Sequence, residues 1–143
     1  MNKLRLIVLL LLITFTVKAQ PRPSDKGIVM LTDFYTAYIS AAADHESDLN
    51  VSEAKMDALK HRYCTTACQK RIKVLIDETD ADPIIQAQDC DKTILNTIIV
   101  KKDNQKPNRY VVTYIDKSNH NKKTTIYLTL KIEKNMLKIG YIE

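Results

Sequence analysis

The segment that decides the fold is TTIYLTLKIE, residues 124–133, in which apolar and polar side chains alternate. Two sets of four side chains face opposite sides: Ile126, Leu128, Leu130 and Ile132 on one, and Thr125, Tyr127, Thr129 and Lys131 on the other. A period of two is typical of a β-strand that buries one face and exposes the other. The sequence therefore predicts a long strand whose aliphatic set faces the core.

Three further segments share this period, and short polar turns separate all four. The predicted strands are residues 94–102, 110–116, 124–133 and 136–142, with turns at Asp103-Asn104, Ser118-Asn119 and Lys134-Asn135. Asn and Asp favour turns because their side chains hydrogen-bond nearby backbone groups. Connections this short join antiparallel strands, so the sequence predicts an antiparallel sheet with its strands in sequential order.

The helical period occurs before the strands. The first predicted helix has Ser24 as N-cap and one apolar, aromatic face, formed by Ile28, Leu31, Tyr35 and Tyr38. Capping-box spacings predict where the second and third helices begin, at Asn50 with Glu53 and at Thr66 with Gln69. Three helices followed by four sequential strands predict an α+β domain, with the N-terminal helices packed on one face of the sheet.

The first nineteen residues have the pattern of an export signal. Lys3 and Arg5 precede an apolar run over residues 6–17, which is shorter than the roughly 20 residues that span a bilayer. Its length suits the apolar region of a cleaved signal peptide, and Val17-Lys18-Ala19 places small residues at the cleavage positions. We predict a signal peptide over residues 1–19 and a single domain over residues 20–143. The mature protein would be periplasmic or secreted, and without a membrane anchor.

Charge and composition exclude several classes of function. The chain has 22 basic and 17 acidic residues, and signal cleavage leaves 19 basic residues, for a net charge of +2. Binding to nucleic acid asks for a concentrated basic patch, so no nucleic-acid partner is expected. His45, His61 and His120 are too scattered for a metal site. No glycine-rich phosphate loop is present, so we expect no metal and no other cofactor.

Cysteines in an exported protein meet an oxidising compartment, where disulfides form. The chain has three cysteines, which allow one bridge and leave one thiol. Cys64 and Cys68 would be neighbours on a helix if one helix ran through both, but Thr65-Thr66 interrupts it. We therefore predict a disulfide between Cys64 and Cys90, with Cys68 as a small buried side chain.

Five segments form a set in a fixed order: residues 33–38 (DFYTAY), 63–65 (YCT), 82–90 (DPIIQAQDC), 110–114 (YVVTY) and Lys138-Ile139. Together they resemble a domain-of-unknown-function family of small exported proteins from Gram-negative bacteria. The fold of that family looks like the cystatin-like class shared with nuclear transport factor 2. The resemblance implies a curved four-stranded sheet wrapped against the helices, and it also implies pairing of the cysteines at 64 and 90. It implies no particular reaction.

The natural ligand site in such a fold is the cone between sheet and helices. Six polar side chains are its candidate lining: Tyr35, Tyr38, Asp82, Gln86, Gln88 and Asp89. An isomerase- or hydrolase-like enzyme would use Asp89 as base, with Tyr35 or Tyr38 as hydrogen-bond donor. In the structural interpretation, Asp89 binds loop backbone groups and the tyrosines pack in the core.

No nucleophile elbow, ordered triad or activated cysteine indicates a reaction. We therefore expect a non-enzymatic binding module that recognises a protein, peptide or small molecule through its concave sheet face or cone, in the manner of an inhibitor or immunity protein. The alternatives are the enzyme outlined above and a structural accessory domain, either monomeric or homodimeric. A cone filled by side chains favours the binding module, whereas a deep cone with Asp89 beside a tyrosine hydroxyl favours the enzyme.

Overall fold

The computed structural model describes residues 24–45 and 47–143, so the predicted signal peptide lies outside the described residues. The helices are α1 (Lys26–Ala42), α2 (Leu49–Tyr63) and α3 (Thr66–Thr79), followed by a short 3-10 helix (Lys92–Asn96). The strands are β1 (Ile99–Lys102), β2 (Arg109–Asp116), β3 (Lys122–Glu133) and β4 (Met136–Ile142). They form one antiparallel sheet in the order β1-β2-β3-β4. This architecture confirms the predicted α+β class.

The helices begin one or two residues away from the predicted positions. The carboxylate of Asp25 accepts hydrogen bonds from the Gly27 and Ile28 amides, at 2.8 and 3.3 Å, and so caps α1. A capping oxygen must reach an amide two or three residues ahead, and neighbouring polar residues compete for that role. The predicted caps Ser24, Asn50 and Thr66 are therefore replaced by Asp25, Asp48 and Thr65.

The first predicted strand is shorter than its period indicates. Residues 92–96 form the 3-10 helix, and β1 begins only at Ile99. Asp91 caps the short helix by accepting from the Thr93 amide at 2.7 Å, and Ile94 is buried in the core. The β3–β4 turn lies where it was predicted. Lys134 and Asn135 both have positive φ, 50° and 62°, as a tight two-residue hairpin turn requires.

The core lies between the helices and the inner sheet face, which is the face turned toward them. Its largest fully buried side chains are Leu31, Phe34, Tyr35, Tyr38, Ile39, Ile72, Ile84, Ile94, Tyr114, Ile126, Leu128 and Ile139. Burying one side chain of this size contributes about 1.5–3 kcal/mol. The prediction for β3 is correct except at Ile132, which is 77% exposed. Ile132 pairs with Leu137 beside the β3–β4 turn, beyond the part of β3 that is buried.

A close contact between α1 and the sheet fixes the helix on β2. The Tyr110 hydroxyl donates to the Asp25 carboxylate at 2.8 Å, and the Tyr110 ring lies against Gly27. A Cβ at position 27 would come within 2.4 Å of this ring, so the contact needs glycine. No helix of the described ranges is long and apolar enough to cross a membrane.

Candidate functional site

Hydrogen bonds and buried side chains attach the first half of the segment over residues 81–91 to the core. The two carboxylate oxygens of Asp82 accept hydrogen bonds from the Ile84 amide at 2.8 Å and from the Tyr38 hydroxyl at 2.6 Å. Ile84 and Ile85 are buried, and the Tyr114 hydroxyl donates to the carbonyl of Ile85. Ile84 and Ile85, the apolar pair in this polar segment, therefore fill space between the helices and the sheet.

The aromatic residues of α1 fill the interior where the sequence predicted a cone. Phe34, Tyr35 and Tyr38 are buried, and the Phe34 ring lies 5.3 Å from that of Tyr35 and 5.4 Å from that of Tyr38. The clefts of roughly 350–680 Å³ on the described surface are lined by other residues than Tyr35, Tyr38 and Asp82. Tyr35 and Tyr38 therefore belong to the packed core, and Asp82, which is partly buried, is bonded to Tyr38.

Burial shifts the pKa values of Asp82 and Tyr38. It raises the pKa of Asp82 above its ordinary value, although the hydrogen bonds from Tyr38 and Ile84 oppose the shift. Burial also raises the pKa of Tyr38, and the charge of Asp82 adds to the effect. Tyr38 therefore stays a hydrogen-bond donor to Asp82. The Tyr35 hydroxyl is buried too, and it has no hydrogen-bond partner among the described residues.

The other three predicted residues, Gln86, Gln88 and Asp89, line an open cleft of about 680 Å³ between the 81–91 segment and the β2–β3 turn. The Asp89 carboxylate accepts a hydrogen bond from the Cys90 amide at 2.7 Å. This is the contact expected if Asp89 stabilises the loop backbone and does not act as a base. Within residues 81–91, the carboxylate that accepts a hydrogen bond from a tyrosine hydroxyl is that of Asp82. The six predicted residues are therefore divided between the core and this cleft.

Local backbone groups occupy the remaining carboxylates of the cleft. Asp116 accepts from the amides of Ser118 and Asn119, at 3.0 and 3.2 Å, and Asp91 accepts from the Thr93 amide. The bond to Thr93 lowers the pKa of Asp91. The described residues hold no group of three or more acidic, histidine or cysteine side chains that could bind a metal ion. The acidic cleft is thus built largely from turn-stabilising contacts.

The disulfide predicted between Cys64 and Cys90 is absent, and all three cysteines are free and buried. Cys64 is held against β4, where the Thr65 amide donates to the Ile139 carbonyl at 2.9 Å. The neighbouring Cys68 thiol, together with burial, raises the pKa of the Cys64 thiol. Cys90 lies in the acidic cleft, beside the end of β2, and burial raises its pKa to about 12. One strand, β3, lies between β2 and β4 in the sheet. Cys90, beside β2, and Cys64, beside β4, therefore do not meet.

The outer sheet face, turned away from the helices, is the other notable surface. We define it by Ile99, Val111, Ile115, Tyr127 and Tyr141, with Lys101, Lys123 and Lys131 around them. Ile115 and Tyr127 are 39% and 37% exposed. A shallow depression of about 350 Å³ lies over β1 and β2 on this face. None of its three lysines forms an ion pair within the described ranges.

Two arginines hold aromatic rings in place on this face. The guanidinium of Arg109 lies 4.7 Å from the ring centre of Tyr127, and Arg109 also pairs with Asp103 and Glu143. The guanidinium of Arg71 lies 4.3 Å from the ring centre of Tyr141. Sequence reasoning missed these stacks, because Arg71 is on α3 and far from Tyr141 in the chain. The alternation in residues 124–133 did place Tyr127 on the exposed side.

Fold and surfaces together define a small α+β protein with a filled interior and a sheet face that no other described segment covers. No protein-family model matches the chain, and no curated protein matches it. A solved structure does match: the crystal structure of a protein of unknown function from Bacteroides thetaiotaomicron. It shares 30% sequence identity and a TM-score of 0.74 with this chain, over 82% of this chain and 88% of the other. The chain belongs to the same family as that protein.

Proposed function

We propose that the protein is an exported, non-enzymatic binding module that recognises an acidic partner protein through its outer sheet face. One observation carries the proposal: the interior is filled by Phe34, Tyr35 and Tyr38, whereas the outer sheet face keeps aromatic and aliphatic side chains in solvent. An enclosed active site surrounds its substrate and expels water from it, whereas the clefts on the described surface are open and are lined by other residues than Tyr35 and Tyr38. Recognition of a protein needs an exposed surface of this composition.

The composition of the outer sheet face resembles that of the energetic centre of protein interfaces. Tyr and Arg are enriched at such centres, since they supply large contact areas with a polar end. Tyr127 and Tyr141 are each held by an arginine, so little side-chain freedom is lost when a partner binds. The unpaired Lys101, Lys123 and Lys131 around them favour an acidic partner and would speed its association.

The enzyme alternative receives less support. An isomerase-like site would place a carboxylate base and a tyrosine hydroxyl around a cavity for the substrate. Tyr38 and Asp82 form such a pair, but they are bonded to each other, Tyr38 is buried, and the clefts on the described surface are lined by neither of them. Asp89, the carboxylate assigned to that role from the sequence, is bonded to backbone in an open cleft.

The finer assignments of compartment and fold class belong to the same proposal. The basic start, apolar run and small-residue site over residues 1–19 support export to the periplasm or beyond. The helix layer on an antiparallel meander supports the cystatin-like class shared with nuclear transport factor 2. An inhibitor or immunity-type role fits both, because such proteins act on partners by surface complementarity.

Affinity capture with a matched pair of variants tests the proposal. The mature protein, immobilised, is exposed to envelope and culture-supernatant fractions of the producing bacterium. Ile115→Glu places a negative charge on the outer sheet face. Val74→Glu makes the same change on α3, where Val74 is 51% exposed. Because the proposed partner is acidic, the same protein should be captured by wild type and Val74→Glu, and lost with Ile115→Glu.

Two results would overturn the assignment to this face. The first is a partner that all three baits retain equally, since it would bind elsewhere. The second is the absence of any partner that distinguishes Ile115→Glu from Val74→Glu. Raising the salt concentration should weaken capture by the wild type, because exposed charges are screened within about 8–10 Å.

A further inference from the structure

A second surface with its own chemistry lies between α2 and α3. The two helices enclose an open cleft of about 460 Å³, which falls within the range of roughly 300–1,000 Å³ typical of ligand sites. Its accessible apolar side chain is Ile76 of α3, which is 36% exposed, whereas Ile72, which also lines it, is only 2% exposed. Its polar lining comes from both helices: Asp57, Lys60 and His61 from α2, and Gln69, Lys70 and Lys73 from α3.

The charges of this α2–α3 cleft are unbalanced. Asp57 is its one carboxylate, and that group is occupied by Lys60 at 2.6 Å. Lys70 and Lys73 form no ion pair among residues 24–45 and 47–143. A further cation lies close by, since the Lys138 ammonium donates to the His61 carbonyl at 3.2 Å. The cleft is thus a positively charged surface with an apolar lining.

The fold itself gives no reason for the cations of α3. Lys70 and Lys73 are three residues apart on one helix face, where like charges destabilise the helix. Lys60 and His61 differ, because they lie in the last turn of α2 and favour its dipole. An anionic occupant would offset the repulsion between Lys70 and Lys73.

The lining also restricts what the occupant can be. No aromatic side chain lines the cleft, so it offers no stacking surface for nucleotide bases. A groove between two helices with aliphatic residues along one side suits a short segment that inserts an aliphatic side chain. Lysines above that groove suit carboxylates on either side of the inserted residue.

We propose that the α2–α3 cleft binds an acidic peptide segment that places an aliphatic side chain against Ile76 and carboxylates against Lys70 and Lys73. This site is separate from the outer sheet face and does not rest on the function proposed for it.

Fluorescence anisotropy with synthetic peptides tests the proposal. The probe is a labelled helical peptide with Leu at i and i+4, flanked by Glu, and the two comparison peptides replace Glu by Lys or Leu by Ser. Only the peptide that carries both Leu and Glu should bind well. Lys70→Glu with Lys73→Glu should weaken its binding by about tenfold or more, which equals 1.4 kcal/mol.

A matched charge change separates the cleft from the net charge of the protein. Lys117→Glu with Lys134→Glu alters the same total charge at exposed positions in the β2–β3 and β3–β4 turns. This control should bind the probe within about twofold of wild type (0.4 kcal/mol). The proposal is overturned if the control weakens binding as much as the cleft variant, if the Ser-containing peptide binds equally well, or if the probe does not bind.

Discussion

The two faces of the sheet use tyrosine in opposite ways. On the inner face, Tyr114 is buried and its hydroxyl donates to the Ile85 carbonyl, so the side chain fastens the 81–91 segment. On the outer face, Tyr127 is partly exposed, and its ring lies against the guanidinium of Arg109. It makes no contact with the helices through the core. The alternation of strand residues thus assigns folding to one face and leaves the other free for recognition.

The largest effect we expect comes from truncating neighbours in β3 that point to opposite faces. Leu128→Ala should lower the free energy of unfolding by about 2–5 kcal/mol, because it removes a fully buried side chain and leaves a cavity. Tyr127→Ala should change it by about 1 kcal/mol or less, as surface substitutions do. Urea unfolding of both variants measures the difference. Equal losses would mean that the outer sheet face is also part of the core.

A pair of glycines gives the next contrast. Gly27→Ala should cost about 1–3 kcal/mol, because its Cβ would lie 2.4 Å from the ring of Tyr110, which packing holds in place. Gly140→Ala should cost less, since its Cβ meets only the flexible stem of Lys131, at 2.7 Å. Thermal unfolding ranks the two variants. A larger loss at Gly140 would contradict the rigid inner and adaptable outer contacts described above.

The inner and outer carboxylates should differ in the sign of their pH dependence. The raised pKa of Asp82, caused by burial, means that its contribution to stability is present at low pH and is lost as pH rises through the raised value. The lowered pKa of Asp103, which accepts from the Gln105 amide and pairs with Arg109, gives a contribution that is lost as pH falls.

Replacing Asp82 or Asp103 by asparagine tests the sign of each pH dependence. Relative to wild type, Asp82→Asn should gain stability as pH rises from about 4 to 7, because it carries no buried charge. Asp103→Asn should lose stability relative to wild type as pH rises from about 2 to 5. Chemical unfolding across these pH ranges measures both slopes. The same sign for both variants would be incompatible with a buried Asp82.

The smallest effect concerns the unpartnered Tyr35 hydroxyl. Because a buried polar group without a hydrogen bond costs about 1–3 kcal/mol, Tyr35→Phe should leave stability unchanged or raise it slightly. Tyr38→Phe is the matched control and should lower stability, since it leaves Asp82 without its donor. A clear loss for Tyr35→Phe would show that its hydroxyl has a partner, such as an interior ligand.

The spacing of apolar residues predicted the fold well, because it indicates which side chains are buried on folding. The four strands and their turns follow directly from alternation and from residues such as Asn135, and β2 and β3 begin within two residues of the prediction. Helix starts were displaced because adjacent polar residues, such as Ser24 and Asp25, can each act as a cap. The 3-10 helix before β1 depends on the tertiary burial of Ile94, which a local pattern does not record.

The six residues of the predicted site do not lie together, since their positions depend on how distant segments meet. The 82–90 motif is divided between core and surface because Ile84 and Ile85 enter the interior. That apolar pair was visible in the sequence, but the volume it would fill was not. The pairing of Cys64 with Cys90, which the helix break at Thr65-Thr66 and the family resemblance both favoured, is absent because Cys64 lies against β4 and Cys90 lies beside the end of β2.

Native mass spectrometry of the mature protein, purified without denaturation, tests the central claim most directly. If the interior is filled and recognition lies outside, wild type should have the mass of its polypeptide alone, without a retained small molecule. A small molecule that wild type and Tyr127→Ala both retain, and that Tyr35→Phe loses, would place a ligand among the inner tyrosines. That result would contradict the division between a packed interior and a recognition surface.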